Sequence, residues 1–478
     1  MHDIHVIDPV SRIEGHAKIT LHLDEAGEVA DARFHVTEFR GFEDFCRGRP
    51  LAEMPSLTAH TCGICPVSHL LASAKAADAI YAVSIPPAAA LQRRLANLGQ
   101  IVQSHSLSFF HLSAPDLLLG MDADPATRNV FGMMQSEPEV VRRGVRLRAF
   151  GQDVVAAVAG ERIHGTGIVG GGVAEPFTVD QRDTILSRLP EALTAAVDTL
   201  QLLLSIEGRF TRELEVFGTF PSLYLSHCLP DGTWECLDGR LRVIDGAGAI
   251  VADQLDPADY REFLGEAANP DSYLKSPYWK ALVTGDDPRP GMYRVGPLAR
   301  INVAERFGTP IADEALDDLR NRMGRIAASS FLYHHARLLE VIACLEMMEP
   351  VLGDPVLLDT HVRATASINR HRGVGSSEAP RGTLFHDYEV DDDGLIRRVN
   401  MIIATGQNEL AMNRTILDIA RAYVEGPQLP DGVLNRVEAG VRAYDPCLSC
   451  STHALGQMPM VLQLLASDGA VVSEVRRE

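Results

Sequence analysis

Two Cys-x-x-Cys pairs, Cys62-Gly63-Ile64-Cys65 and Cys447-Leu448-Ser449-Cys450, stand 385 residues apart near the two ends of a 478-residue chain. A Cys-x-x-Cys turn aims two thiolates at one side of a tight loop. Two such turns facing each other supply four soft ligands, suited to zinc, iron–sulfur or nickel. One pair alone reads equally well as a structural zinc knuckle or a redox dithiol. Structural zinc pairs sit within one small loop-rich module, whereas these bracket several hundred residues, so a site made by both would lie at the centre of the fold. A histidine follows each pair, His69 and His453.

Eight cysteines do not form a disulfide framework in a chain this long, and four of them fall into the two pairs, the arrangement of a reducing compartment. Lys plus Arg total 44 against 64 Asp plus Glu, and the net charge of −20 argues against nucleic acid or an anionic membrane as partner. The N-terminus lacks a basic patch followed by an apolar stretch, and no segment approaches the ~20 uninterrupted apolar residues of a membrane span. A cytoplasmic location is expected.

The first forty residues alternate apolar and polar, with Ile19, Leu21, Leu23 and then Phe34 and Val36 around the turn Asp24 to Gly27, the signature of an antiparallel hairpin. From Pro86-Pro87 the spacing becomes helical, through Leu91, Leu95, Leu98, Ile101 and Phe109. Thr178-Val179-Asp180-Gln181 is a capping box opening a helix toward Ile206, and a third long helix is predicted from Asp313 to Met348. Turn signals at Pro230–Gly232, Asp238-Gly239, Asp245-Gly246 and 391–394 mark peripheral hairpins. The expected fold is mostly α with small antiparallel β-sheets around a central bundle of long helices: a hairpin region over about 1–45, then a helical core over about 60–453, in one domain.

Six motifs carry a family resemblance: Arg12-Ile13-Glu14-Gly15-His16, Arg40-Gly41-Phe42-Glu43, Cys62 to His69, Gly296-Pro297-Leu298-Ala299-Arg300, Glu378-Ala379-Pro380-Arg381-Gly382 and Asp445 to His453. In this order, over residues 12 to 453, they resemble the large subunits of nickel–iron hydrogenases, and in phrasing the soluble, bidirectional, NAD-linked group. The resemblance implies a nickel held by Cys62, Cys65, Cys447 and Cys450, with Cys65 and Cys450 bridging to an iron that carries carbon monoxide and two cyanides. Splitting dihydrogen needs a metal and a nearby base to take the proton. The resemblance gives that base role to Cys447, with Glu14 as the first relay outward and Arg381 over the open coordination position. Asp116 and Asp445 are implied as the acids paired with Arg381. His69 is implied as a hydrogen-bond donor to a bridging thiolate and Thr405 as the hydroxyl facing a cyanide, with Pro380 beside them. Glu43 and His453 match the ligands of a magnesium ion, though both read equally well as ordinary polar residues. His60 stands where the family commonly has Arg. His105 and His111 read as structural histidines.

The same resemblance implies an iron–sulfur small subunit, diaphorase subunits carrying NAD and flavin, and a maturation protease that cuts after His453. Residues 454–478 are then an extension removed on maturation, apolar enough to pack and expected to hold the C-terminal thiolates away from the site until cleavage. Gly165-Thr166-Gly167-Ile168-Val169-Gly170 matches the dinucleotide fingerprint, but no strand leads into it and no helix opens until about Thr178, so no NAD site is expected in this chain. Rival readings are a zinc-stabilised scaffold, a hydrogen sensor, and a hydrogenase coupled to a deazaflavin or a heterodisulfide reductase.

Overall fold

Alternation sets the opening strands. Ala17–Leu23 pairs antiparallel with Val29–Val36, placing Ile19 opposite Phe34 and Leu21 opposite Ala32. Asp24 closes the turn, its carbonyl accepting from Gly27 N at 3.1 Å and its carboxylate from Ala26 N at 2.9 Å. The computed structural model describes residues 4–37, 41–269, 272–425, 429–448, 460–465 and 471–477. In it the opening sheet has five antiparallel strands, ordered Val471–Arg477, Met460–Leu465, Ile4–Asp8, Ala17–Leu23, Val29–Val36. Two strands from the C-terminal extension thus complete a sheet begun by the N-terminus.

The predicted helix forms over Pro87–Leu107 and continues as wider π-turns through Pro115–Leu119. Thr178 caps Val179–Ile206 as the box requires: its Oγ1 accepts from Gln181 N at 3.2 Å, and Gln181 Oε1 accepts from Thr178 N at 2.8 Å. The expected third helix is two. Pro310–Met323 stops at Gly324, whose φ of +91° ends the helix, and Tyr333–Gly353 resumes after a 3-10 turn. Pro138–Ala159 completes a ring of four helices. In this ring 87–107 and 179–206 each pack against 138–159 and 333–353. Gly99 and Gly151 bring two of these helices close: a Cβ on Gly151 would stand 2.7 Å from the Gly99 carbonyl.

Val179–Val216 is, among the described residues, the one stretch long and apolar enough by length and composition to cross a membrane. Here it buries Ile185, Leu189, Ala196, Leu200 and Leu203 in the common core, while Arg188–Asp153 (2.7 Å) and Arg146–Glu191 (3.3 Å) join it to the 138–159 helix. Small antiparallel sheets flank the ring, as predicted. One, Arg372–Ala379, Gly382–Val390 and Ile396–Ile402, lies against the helix Pro66–Tyr81 and carries part of the site.

Eight of the described histidines are buried, and six of these, His69, His105, His227, His334, His335 and His386, share one electrostatic fate. Burial pushes these six below the ordinary imidazole value, His227 and His334 to about 3 and His335 to about 4. Unfolding therefore takes up protons below the unfolded-state value of about 6.5. Stability that is complete above that value is lost as pH falls through it toward the folded-state values. Chemical denaturation should show a lower midpoint at pH 5.5 than at pH 7.5, with His335→Gln flattening the dependence. Equal midpoints at the two pH values would contradict this account.

Candidate metal centre

The first thiol pair sits between two helices. After Met54–Ala59, Cys62 N donates to Ala59 O at 3.2 Å, Cys65 N donates to Cys62 Sγ at 2.9 Å, and Pro66 opens the helix Pro66–Tyr81 with Cys65 at its cap. The second pair follows the helix Asp431–Ala443, after which the chain turns at Asp445, φ +54°, and lies beside the N-terminal loop. There Glu14 and Cys447 form a parallel bridge, and Leu448 N donates to Glu14 O at 3.0 Å. The result is a 3.4 Å separation of Cys62 Sγ and Cys447 Sγ. The expectation that the extension keeps the C-terminal thiolates away fails for Cys447, which is in place with both extension strands docked. Cys450 and His453 lie outside the described residues, as does Arg40.

The donor chemistry fits a soft metal. The sulfurs of Cys62 and Cys65 and a ring nitrogen of His69 lie within 4.8 Å of one another. Hydrogen bonding to Cys447 and Cys62, then burial, push the Cys65 thiol well up. Thiols so crowded surrender their protons together only to a cation that replaces them. A cavity of about 40 Å³ beside them is lined by Cys62, Cys65, His69, Arg381, Thr405 and Cys447, among others.

Arg381 reaches that cavity from the tip of a two-residue hairpin. Ala379 pairs with Gly382 and Glu378 with Thr383, leaving Pro380 and Arg381 as the turn. Gly382 takes φ +140°, where a Cβ would meet Val295 Cγ2 at 2.3 Å. Arg300 of the Gly296–Arg300 motif grips the same hairpin, donating to Glu378 Oε2 at 3.0 Å and to the carbonyls of Ala379 and Pro380 at 2.9 Å each. Two sequence motifs thereby become one unit. Arg381 donates to Asp445 O (2.5 Å), to Asp445 Oδ1 (3.1 Å) and to Ser104 Oγ (3.3 Å). Burial alone would discourage its charge, but Asp445 with Cys447, Cys65 and Cys62 outweighs burial and raises its pKa.

Asp116 requires a correction. Its ion pairs are with Arg12 (2.5 Å), Arg442 (2.5 Å) and Arg128 (3.6 Å), and none joins it to Arg381. The cause is Arg12, which at φ +54° turns its side chain toward the 87–119 helix end and also donates to Leu112 O (2.8 Å) and Asn435 Oδ1 (3.0 Å). Burial opposes the Asp116 charge, yet Arg442 and Arg12 hold its carboxyl below the usual range. The cluster ties the loop bearing Glu14 to the helix leading to Cys447. Ser11 adds to it, donating through N and Oγ to Glu438 at 2.8 and 2.9 Å. Sequence reasoning missed this role, although Arg12 opens the Arg-x-Glu-Gly-His motif.

Residues 6–39 match a HoxL-like family model, and residues 40–139 and 252–453 match the nickel-dependent hydrogenase model. The chain belongs to the nickel-dependent hydrogenase family. The beta subunit of the NAD-reducing hydrogenase HoxS of Cupriavidus necator is 40% identical to it, over 99% of each chain. The corresponding chain of the F420-non-reducing hydrogenase of Methanothermobacter thermautotrophicus is 38% identical over 98% of this chain and 99% of its own. A solved NAD+-reducing [NiFe]-hydrogenase in the H2-reduced state shares the fold with a TM-score of 0.90 and 45% identity, covering 94% of this chain and 99% of that one. This is the catalytic chain of a nickel–iron hydrogenase.

The remaining predicted residues of the hydrogenase site fall as follows. Glu14 is buried, its backbone alongside Cys447. Thr405 is buried at the cavity wall, and its Oγ1 accepts from Cys447 N at 3.1 Å. His69 faces the sulfurs but makes no hydrogen bond to them among the described residues; its Nδ1 stands 3.0 Å from His386 Nε2. Glu43 is half-buried, accepts from Met401 N at 3.0 Å and lies 3.7 Å from Lys275. His60 stacks on His164 with ring centroids 4.5 Å apart, and His164 Nε2 is 2.9 Å from Cys62 O. Gly165–Gly170 runs into a tiny hairpin, Ile168–Val169 with Gly172–Val173, so the strand, turn and helix of a dinucleotide site are lacking there.

Removing Asp116 leaves the buried Arg442 guanidinium with only its longer ion pair to Glu438, 3.4 Å. Asp116→Ala should cost about 3–5 kcal/mol in denaturant unfolding. A cost under 1 kcal/mol would show that the cluster does not hold the two termini together.

Proposed function

We propose that this chain is the mature site of reversible heterolytic H2 cleavage over residues 1–453, with 454–478 released after His453 by a maturation protease. Cys62, Cys65, Cys447 and Cys450 would hold the nickel, with Cys65 and Cys450 shared with an iron bearing carbon monoxide and two cyanides. When bound, that centre supplies the Lewis acidity and electron acceptance that no side chain offers. The chain's own residues then handle the proton. Cys447 Sγ receives it, and the Glu14 carboxylate, held beside Cys447 by the backbone bridge, carries it outward. Arg381, oriented by Asp445, covers the open position and donates into the cavity, with Pro380 completing the turn that aims it. Thr405 lines the same cavity. Glu43 and His453 would take the magnesium ion.

The observation that carries this reading is the contact of Cys62 and Cys447 sulfurs from opposite ends of the chain. The family match ending at residue 453 supports the cleavage point. Electrons would leave through an iron–sulfur small subunit, then reach NAD by way of flavin-bearing diaphorase subunits in the cytoplasm. Identity of 40% and 45% to NAD-reducing enzymes over nearly whole chains favours that acceptor. The 38% identity to an F420-non-reducing enzyme keeps a heterodisulfide-type acceptor as the second reading.

Two measurements test the proposal. The matured complex should contain nickel and iron, reduce NAD under H2, and hold this chain shortened to residue 453 by mass; zinc in their place would overturn it. Glu14→Gln should keep both metals and lose about 10²–10⁴-fold in H2-driven dye reduction. Wild-type turnover in that variant would remove Glu14 from the proton route.

A further inference from the structure

A buried polar chain leaves the cavity in a direction the proton route does not use. His69 Nδ1 is 3.0 Å from His386 Nε2, His386 Nδ1 is 2.5 Å from Tyr388 Oη, and Tyr388 Oη donates to Ser73 Oγ at 2.9 Å. All four side chains are buried. Their spacing explains the alignment. His69 and Ser73 are four residues apart on one helix face, His386 and Tyr388 are alternate residues on one strand face, and helix and strand pack together.

Proton accounting couples the ends of this chain. The 3.0 Å contact of two ring nitrogens needs one N–H facing one lone pair, and a single N–H on each ring meets it. Tyr388 has one hydroxyl hydrogen and gives it to Ser73, so its oxygen accepts from His386 Nδ1–H. The bare Nε2 of His386 then accepts from His69 Nδ1–H, and His69 is left with an unprotonated Nε2. In the opposite sense Ser73 donates to Tyr388, Tyr388 to His386 and His386 to His69, which then presents Nε2–H. Both senses carry one proton per group. Thr58 also hydrogen-bonds Tyr388, so the sense is set at the two contacts of His386, where two facing N–H groups or two facing lone pairs would cost about 1–3 kcal/mol.

We infer that His386, Tyr388 and Ser73 are positioning residues that fix the ring orientation and tautomer of His69, and thereby decide whether the sulfurs of Cys62 and Cys65 face a lone pair or an N–H. With Tyr388 donating to Ser73, the chain runs outward from His69 and leaves a lone pair toward sulfurs that carry protons; thiolates committed to a metal only accept, so metal loading calls for the reversed sense. The inference rests on the reading of Cys62 and Cys65 as ligands of the nickel–iron centre.

Tyr388→Phe in the matured complex tests it. Nickel and iron contents should match wild type. The infrared stretches of the iron's diatomic ligands should shift, and turnover in H2-driven dye reduction should fall about tenfold at unchanged KM for H2. Ser73→Ala should move the same bands in the same direction by less, and it serves alone if Tyr388→Phe does not accumulate. Bands superimposable on wild type with metals present would overturn the inference. A wild-type complex lacking nickel and iron would instead overturn the metal reading on which it rests.

Discussion

Everything functional in this molecule depends on one close approach, that of the sulfurs of Cys62 and Cys447. Neither local segment could produce it. The first thiol is delivered by a turn between two helices, the second by a chain that has left the helix Asp431–Ala443 and turned at Asp445. The N-terminal loop holds them in register by adding the backbone of Glu14 alongside Cys447. The same few hydrogen bonds therefore set the backbones of Cys447 and the buried Glu14 side by side. The geometry of chemistry and the closure of the fold are one constraint.

Charge reinforces that closure at two depths. Near the cavity, Arg381 and Asp445 form a buried pair whose cation also faces the sulfurs. Farther out, Asp116 gathers Arg12 and Arg442 and stitches the first turn of the chain to its last long helix. Buried ions are costly unless satisfied, so each cluster tolerates few arrangements of its neighbours. They act here as locators more than as sources of net stability, and the Gly296–Arg300 and Glu378–Gly382 segments interlock on the same principle.

Much of this is legible in the residues themselves. Period-two and helical spacing mark the opening hairpin, the helix after Pro87 and the capped helix from Val179, and the two cysteine pairs mark the centre. What spacing does not reveal is partnership. The family resemblance pairs Asp116 with Arg381, but the left-handed backbone at Arg12 sends a nearer cation to it. It leaves His69 facing sulfur alone, since nothing in the sequence puts His386 and Tyr388 behind that ring. The uninterrupted helix predicted from Asp313 to Met348 ignores the break at Gly324, which a summed apolar stripe does not register.

The extension's two strands have a mechanical corollary. Ile4–Asp8 is an interior strand only while Met460–Leu465 lies along it, each residue from Ile4 to Asp8 matched to one between Leu465 and Val461. Shedding that neighbour would turn an inner strand into a rim, with a row of amide and carbonyl groups newly open to water or to another chain's backbone. Trimming the tail would thus do more than shorten the polypeptide: it would uncover a ready seam within a few residues of the loop that carries Glu14.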